Sequence, residues 1–217
     1  MPSTDDIPTG LITTIRVQRK DPSRVSIYID GEFAFGLYAD IAMQCGLRKD
    51  VVADRSSVES ALRAESVRRA YNAALNLLSY RMRTVSEISQ RLSDKGFDEE
   101  TVSEILRRLV ERGYLDDQTF AREFATSRAR GRGFGIHRIR GDLRKKGVDR
   151  EIVDDVIATL DPEVDWLALA RQQAEKRWPR LGTTADPRRR QKKLFDFLIR
   201  RGFDFGTARQ VVEEMGE

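Results

Sequence analysis

A seven-residue phrase recurs three times in this chain, and no other feature restricts the fold as much. It reads Leu92-Ser93-Asp94-Lys95-Gly96-Phe97-Asp98, then Leu143-Arg144-Lys145-Lys146-Gly147-Val148-Asp149, then Leu198-Ile199-Arg200-Arg201-Gly202-Phe203-Asp204. A helix that ends on glycine at C′ can close a Schellman motif, in which the apolar residue after the glycine packs on the residue at C3. Phe97 is therefore expected on Leu92, Val148 on Leu143 and Phe203 on Leu198. Asp98 and Asp149 then stand at the N-cap of a following helix, with Glu99, Glu100 and Glu151 in its electropositive first turn. Each phrase predicts a helix-turn-helix joint. The flanks repeat in register as well: Ile88, Ile139 and Leu194 precede the leucine by four residues, and Val102, Val153 and Ala208 follow the glycine by six.

A further amphipathic helix is expected ahead of each joint, over Ala70–Tyr80, Asp116 to about Arg130, and Asp161 to about Arg177. The last is announced by Asp161-Pro162, an N-cap with proline at N1. The resulting reading is mainly α: three tandem three-helix, helix-turn-helix-like repeats over residues 61–115, 116–160 and 161–217. Each unit is too small to bury much apolar surface alone, so neighbours must stack, which predicts an elongated array.

The N-terminal part has a different period. Residues 1–10 read as a polar, Pro-containing tail without structure. Residues 11–60 read as a small β-meander plus short helices. Leu11–Val17, Val25–Asp30 and Glu32–Leu37 are rich in β-branched and aromatic residues. Asp30-Gly31 between two of these runs is a hairpin signal, because both central positions of a type I′ turn need positive φ. From Ala39 to Ser60 the pattern is weakly amphipathic and broken by Gly46, so one or two short helices are expected there.

With 40% hydrophobic and 34% charged residues the chain has enough apolar surface for packed cores and must carry a densely charged exterior. The single cysteine, Cys45, excludes an intramolecular disulfide, and with the single histidine, His137, it excludes a zinc site of clustered soft ligands. Asp5, Asp6, Pro2 and Pro8 stand where a signal peptide needs a basic and then an apolar run, and no apolar segment is long enough to span a bilayer. A soluble, cytoplasmic protein with no membrane association is expected.

The inventory for catalysis is poor. There is no phosphate-binding loop, metal-ligand spacing or nucleophile elbow. His137 lies beside Arg138 rather than beside a carboxylate that would orient it as a base. Cys45 reads as a small, half-buried apolar residue. The pair Asp116-Asp117 follows Gly113-Tyr114-Leu115, and Asp116 is explained as a helix N-cap with Thr119 at N3. Tyr114 occupies the position after Gly113 and is expected to pack on Leu109. Phe120, Phe124, Phe195, Trp166 and Trp178 fall at helical spacing and read as core or repeat-interface residues. No catalytic residue, metal or cofactor is assigned.

Charge is the stronger signal. The net charge is only +4, but it is segregated. One basic cluster holds Arg128, Arg130, Arg132, Arg138, Arg140, Arg144, Lys145 and Lys146 against Asp142. A second holds Arg171, Lys176, Arg177, Arg180, Arg188, Arg189, Arg190, Lys192 and Lys193 against Glu175 and Asp186. Acidic residues gather at Asp98–Glu104, Asp149–Asp155, Asp161–Asp165 and at Glu213, Glu214 and Glu217. Such patches suit a phosphate backbone or an acidic protein groove. A helix-turn-helix protein with Arg138, Arg140 and Arg144 on a recognition helix is one way to use them.

Gly113-Tyr114-Leu115-Asp116-Asp117 followed by Phe120-Ala121, with Arg138-Ile139-Arg140, Lys146-Gly147-Val148 and Arg200-Arg201-Gly202-Phe203, resembles the RecX regulators of the RecA recombinase. Tyr28, Asp30-Gly31-Glu32 and Phe33 resemble the N-terminal part found in some members. One departure stands out: the family often has proline after the glycine that is Gly135 here, and this chain has Ile136, which leaves the start of that helix open. The resemblance implies tandem three-helix repeats without catalytic activity. It further implies binding in the groove of the RecA filament on single-stranded DNA, across adjacent protomers, with lowered ATPase, strand-exchange and coprotease activities. A monomer with weak direct affinity for DNA is expected.

Overall fold

Strands β1 (Gly10–Val17), β2 (Arg24–Ile29) and β3 (Glu32–Tyr38) form the expected antiparallel meander in the computed structural model, which describes residues 7–181 and 187–216. Asp30 and Gly31 have φ of 49° and 91°, as a type I′ turn demands of its central pair. A two-residue strand, β4 (Val52–Ala53), pairs with the start of β1 and gives the order β3-β2-β1-β4. It is too short to announce itself by alternation. One face of the sheet buries Ile12, Ile27 and Leu37 against Ile41, Leu47, Val58 and Ala61. Gly10 lies within β1 and Ile7 packs on this core, so the tail is shorter than residues 1–10; Met1–Asp6 fall outside the described residues.

Helix α1 (Ala39–Gln44) ends before Gly46, whose φ is 69°. No second short helix follows. Instead α2 runs unbroken from Arg55 to Tyr80, absorbing the expected Ala70–Tyr80 helix and crossing the boundary drawn at residues 60 and 61. Its buried residues are Val58, Ala61, Glu65, Ala70 and Ala74. A stripe of alanines at helical spacing carries little hydrophobic contrast, which is why its first half reads as a weak pattern.

The remaining helices are α3 (Val85–Ser93), α4 (Glu99–Glu111), α5 (Asp117–Thr126), α6 (Ile136–Lys145), α7 (Arg150–Leu160), α8 (Trp166–Arg177), α9 (Pro187–Arg201) and α10 (Phe205–Glu214). The three joints close as their phrases predict. Phe97 N donates to Leu92 O at 3.3 Å, Val148 N to Leu143 O at 3.3 Å and Phe203 N to Leu198 O at 3.2 Å. The preceding glycines have φ of 84°, 74° and 89°. The registered apolar positions Ile88, Leu92, Ile139, Leu143, Val153, Leu194, Leu198 and Ala208 are all completely buried. Asp98, Asp116, Asp149 and Asp204 each accept a backbone N–H from the first turn of the helix they precede.

The helix expected to start at Asp161 starts five residues later. Asp161 closes α7, and the short turn Asp161–Glu163 separates the two helices; α8 starts at Trp166, capped by Asp165, which accepts from Ala168 N at 2.9 Å. Asp161 instead accepts from the Trp166 indole N–H at 2.7 Å. An aspartate before proline is the stronger local signal, but the indole that takes up its carboxylate lies five residues on. Tyr114 N donates to Leu109 O at 2.8 Å and closes the turn at Gly113, and the residue is 54% exposed.

The contacts gather into two units. The first holds the chain up to Leu77 together with Leu92–Arg107, around the sheet core. The second holds Leu78–Arg91 together with the chain from Arg108. Within the second, Phe120, Ala121, Ile139, Leu143 and Val153 share one core, and Ala170, Leu194, Leu198, Phe203 and Ala208 share another.

Candidate functional site

In the second unit the start of one repeat's middle helix sits on the joint of the next, and this happens twice. At α6, Gly135 N donates to Arg201 O at 2.9 Å and His137 N to Gly202 O at 3.1 Å. The first N–H groups of a helix have no partner inside it. Here the closing carbonyls of α9 supply one, which is why α6 starts cleanly at Ile136 without proline or a side-chain cap. At α3, the completely buried Thr84 accepts from Glu87 N at 3.0 Å and donates its hydroxyl to Lys146 O at 2.7 Å. Lys146 Nζ then pairs with Glu87 at 2.7 Å. Asp117, whose carboxyl burial pushes up from its ordinary value, accepts from Val85 N at 2.9 Å. The string Gly113–Asp117 therefore links repeats as well as starting α5.

This docking gathers cations around Phe134, between Gly133 and Gly135. The guanidinium of Arg138 lies 4.0 Å from the ring centre, that of Arg201 5.5 Å and that of Arg128 5.8 Å. Arg128 also covers Phe124 at 4.7 Å, and Arg201 covers Phe197 at 5.1 Å. Asp142 is the nearby counter-charge, 3.8 Å from Arg138. Arg201 donates to Arg132 O at 2.6 Å, and burial followed by the charge of Arg138 lowers its affinity for its proton. Arg132 and Arg200 extend the group at the surface, both exposed. Phe134 and Arg201 lie outside the two basic clusters legible in the sequence, where the Gly133-Phe134-Gly135 string is the one local clue to them.

The other assigned cations do not join this group. Arg138 is turned away from Arg140 and Arg144, which lie four residues apart on the opposite face of α6. Both engage Asp154 of α7, at 3.7 Å and 3.9 Å, and Arg150 reaches the same carboxylate at 3.5 Å. Arg130 faces Glu163 at 4.0 Å, and Lys145 is exposed. In the second cluster Arg171 forms a two-pronged pair with Glu214 at 2.6 Å and 2.7 Å, a link between α8 and α10. Arg190 stacks on Trp178 at 3.8 Å and donates to its carbonyl at 2.9 Å. Arg188, Arg189, Lys192 and Lys193 are exposed along α9. Asp186, counted with this cluster, and Glu217, counted with the acidic end, lie outside the described residues.

Helical modules that cap one another's ends, a small strand domain ahead of them and arginines gathered on their surface define a tandem-repeat protein built for contact. Among the described residues no helix is long and apolar enough to cross a membrane. Family models match almost the whole length: the regulatory protein RecX N-terminal domain at residues 10–54, and the first, second and third RecX three-helix domains at 70–117, 116–157 and 163–212. The regulatory protein RecX of Leuconostoc citreum is 31% identical over 94% of this chain and 76% of its own. That of Clostridium perfringens strain 13 is 29% identical over 95% of this chain and 96% of its own. A crystal structure of regulatory protein RecX superposes with a TM-score of 0.71 at 29% identity, covering 95% of this chain and all of that one. The RecX structure from Lactobacillus salivarius gives 0.61 at 28% identity over 70% of this chain and 97% of that one. The chain belongs to the RecX family of regulatory proteins.

Proposed function

We propose that the protein binds the RecA filament on single-stranded DNA, lying in its groove across adjacent protomers, and thereby lowers ATPase, strand-exchange and coprotease activities. The observation that carries this reading is the arginine group around Phe134. Arg128, Arg138 and Arg201 converge on one ring with Asp142 as the near carboxylate, so the group repels itself until an anion arrives. Guanidiniums held in place by aromatic rings lose little freedom on meeting phosphate or carboxylate. Because the group spans the junction of two repeats, one chain can engage more than one protomer and gain affinity through linkage. The recognition-helix alternative is weaker, since Arg140 and Arg144 are turned toward Asp154.

Reversing charge at the exposed edge, Arg132→Glu with Arg138→Glu and Arg200→Glu, is expected to weaken inhibition of RecA ATPase on single-stranded DNA by about tenfold or more. Circular dichroism should be unchanged. Equal inhibition by the triple variant would remove the Phe134 group from the contact. Failure of the unmodified protein to inhibit at any ratio to RecA would remove the function itself.

A further inference from the structure

The first unit contains a cavity that the regulatory reading does not use. It measures about 380 Å³ and is lined by Arg24, Tyr38, Arg69, Asn72, Lys95 and Phe97, with Ala73 closing one side. Volumes of about 300 Å³ and above are those of small-ligand clefts. The lining has three cations and no carboxylate. Their roles differ. Arg24 is already engaged: it pairs with buried Glu65 at 2.6 Å, donates to Gly36 O at 3.2 Å and stacks on Tyr38 at 4.8 Å. Glu65 also accepts from Tyr38 N at 3.0 Å, and Asn72 donates to the Tyr38 hydroxyl at 3.1 Å. These bonds build a rigid floor whose charge is balanced.

The rim is different. Arg69 and Lys95 are both exposed and have no ion-pair partner among the described residues. They come from separate elements: Arg69, Asn72 and Ala73 share one face of α2, and Lys95 and Phe97 flank the Schellman glycine Gly96. The half-buried Phe97 supplies an aromatic wall. The Tyr38 ring cannot serve that purpose, because Arg24 and Arg68 lie against it at 4.8 Å and 5.0 Å.

We propose that this cavity binds a nucleoside phosphate, with the base against Phe97 and Ala73 and the phosphate between Arg69 and Lys95. Two unpaired cations match a phosphate dianion in charge, and a planar base matches the apolar wall. A carboxylate side chain would meet the rim and leave the wall empty. The same chemistry is offered by a free nucleotide and by the 5′-terminal nucleotide of a DNA strand.

The experiment titrates the full chain, by calorimetry, with deoxyadenosine monophosphate, with a 5′-phosphorylated oligodeoxynucleotide and with the same oligonucleotide lacking the phosphate. Arg69→Glu with Lys95→Glu should weaken binding of the mononucleotide at least tenfold, and Arg69→Gln with Lys95→Gln should weaken it by less. The Arg132, Arg138 and Arg200 triple variant should bind it normally, which separates this pocket from the Phe134 group. A free-nucleotide site shows the mononucleotide bound at least as tightly as either oligonucleotide; a strand-end site shows the phosphorylated oligonucleotide bound tightest. Equal mononucleotide affinity in the double glutamate variant, or no binding of any probe at millimolar concentration, overturns the proposal and leaves the regulatory reading intact.

Discussion

Gly135→Val should lower the melting temperature by about 6–12 °C, the shift expected when about 3 kcal/mol is lost from a domain of this size. The conformation of Gly135 is ordinary, with φ of −76°, so backbone strain is not the cause. Space is. A Cβ at this position would lie 2.2 Å from Gly202 O and 2.4 Å from Phe203 N, both backbone atoms that cannot rotate away. The junction would have to open, losing the two hydrogen bonds from Gly135 and His137 as well as the packing beneath them. Gly141→Ala is the control: nothing lies within 4 Å of its Cβ, and alanine favours the helix, so stability should rise by about 0.5–1 kcal/mol. A thermal melt of both variants decides it. An unshifted Gly135→Val midpoint would mean that the second and third repeats do not meet in this way.

The second large effect falls on Gly147→Val. Two costs combine there. Its φ of 74° disfavours any side chain, and a β-branched one most. A Cβ would also come within 2.2 Å of Ser86 Oγ and 2.3 Å of Ser86 Cβ, where α3 begins. Gly96→Val separates the two contributions, since Gly96 has a φ of 84° and nothing within 4 Å. Strain alone is worth about 1–3 kcal/mol. Gly147→Val should therefore cost more than Gly96→Val in chemical denaturation, and Gly147→Val with Ser86→Ala should recover part of the difference. Equal costs would show that the joint is held by local turn geometry only.

These two sites mark the boundary of what local reasoning reaches. Leu92, Leu143 and Leu198, their glycines and their aspartate caps were readable because a Schellman joint is encoded within seven residues. The hairpin at Asp30-Gly31 was readable for the same reason. What a joint touches is encoded nowhere near it. Thr84 meets Lys146, and Gly135 meets Gly202, across more than sixty residues, and neither partner has a distinctive neighbourhood. Residue type also fails to say how a cation is spent. Arg138, Arg140 and Arg144 look equivalent along α6, but the helix turns the first toward Phe134 and the others toward Asp154. The full length of α2 is not legible in the sequence, because alanine buries well and yet adds little to a hydropathy pattern.

The borrowed carbonyls at α6 have a consequence for how motion in this molecule can be observed. Amide protons in the first turn of a helix normally exchange quickly with solvent, because the helix itself gives them no acceptor. Those of Gly135 and His137 are held by the neighbouring repeat, so they are released only when the two modules part. Fraying of α6 and separation of the repeats, ordinarily blurred together at a helix end, thus leave different traces, and these two amides time the second event alone.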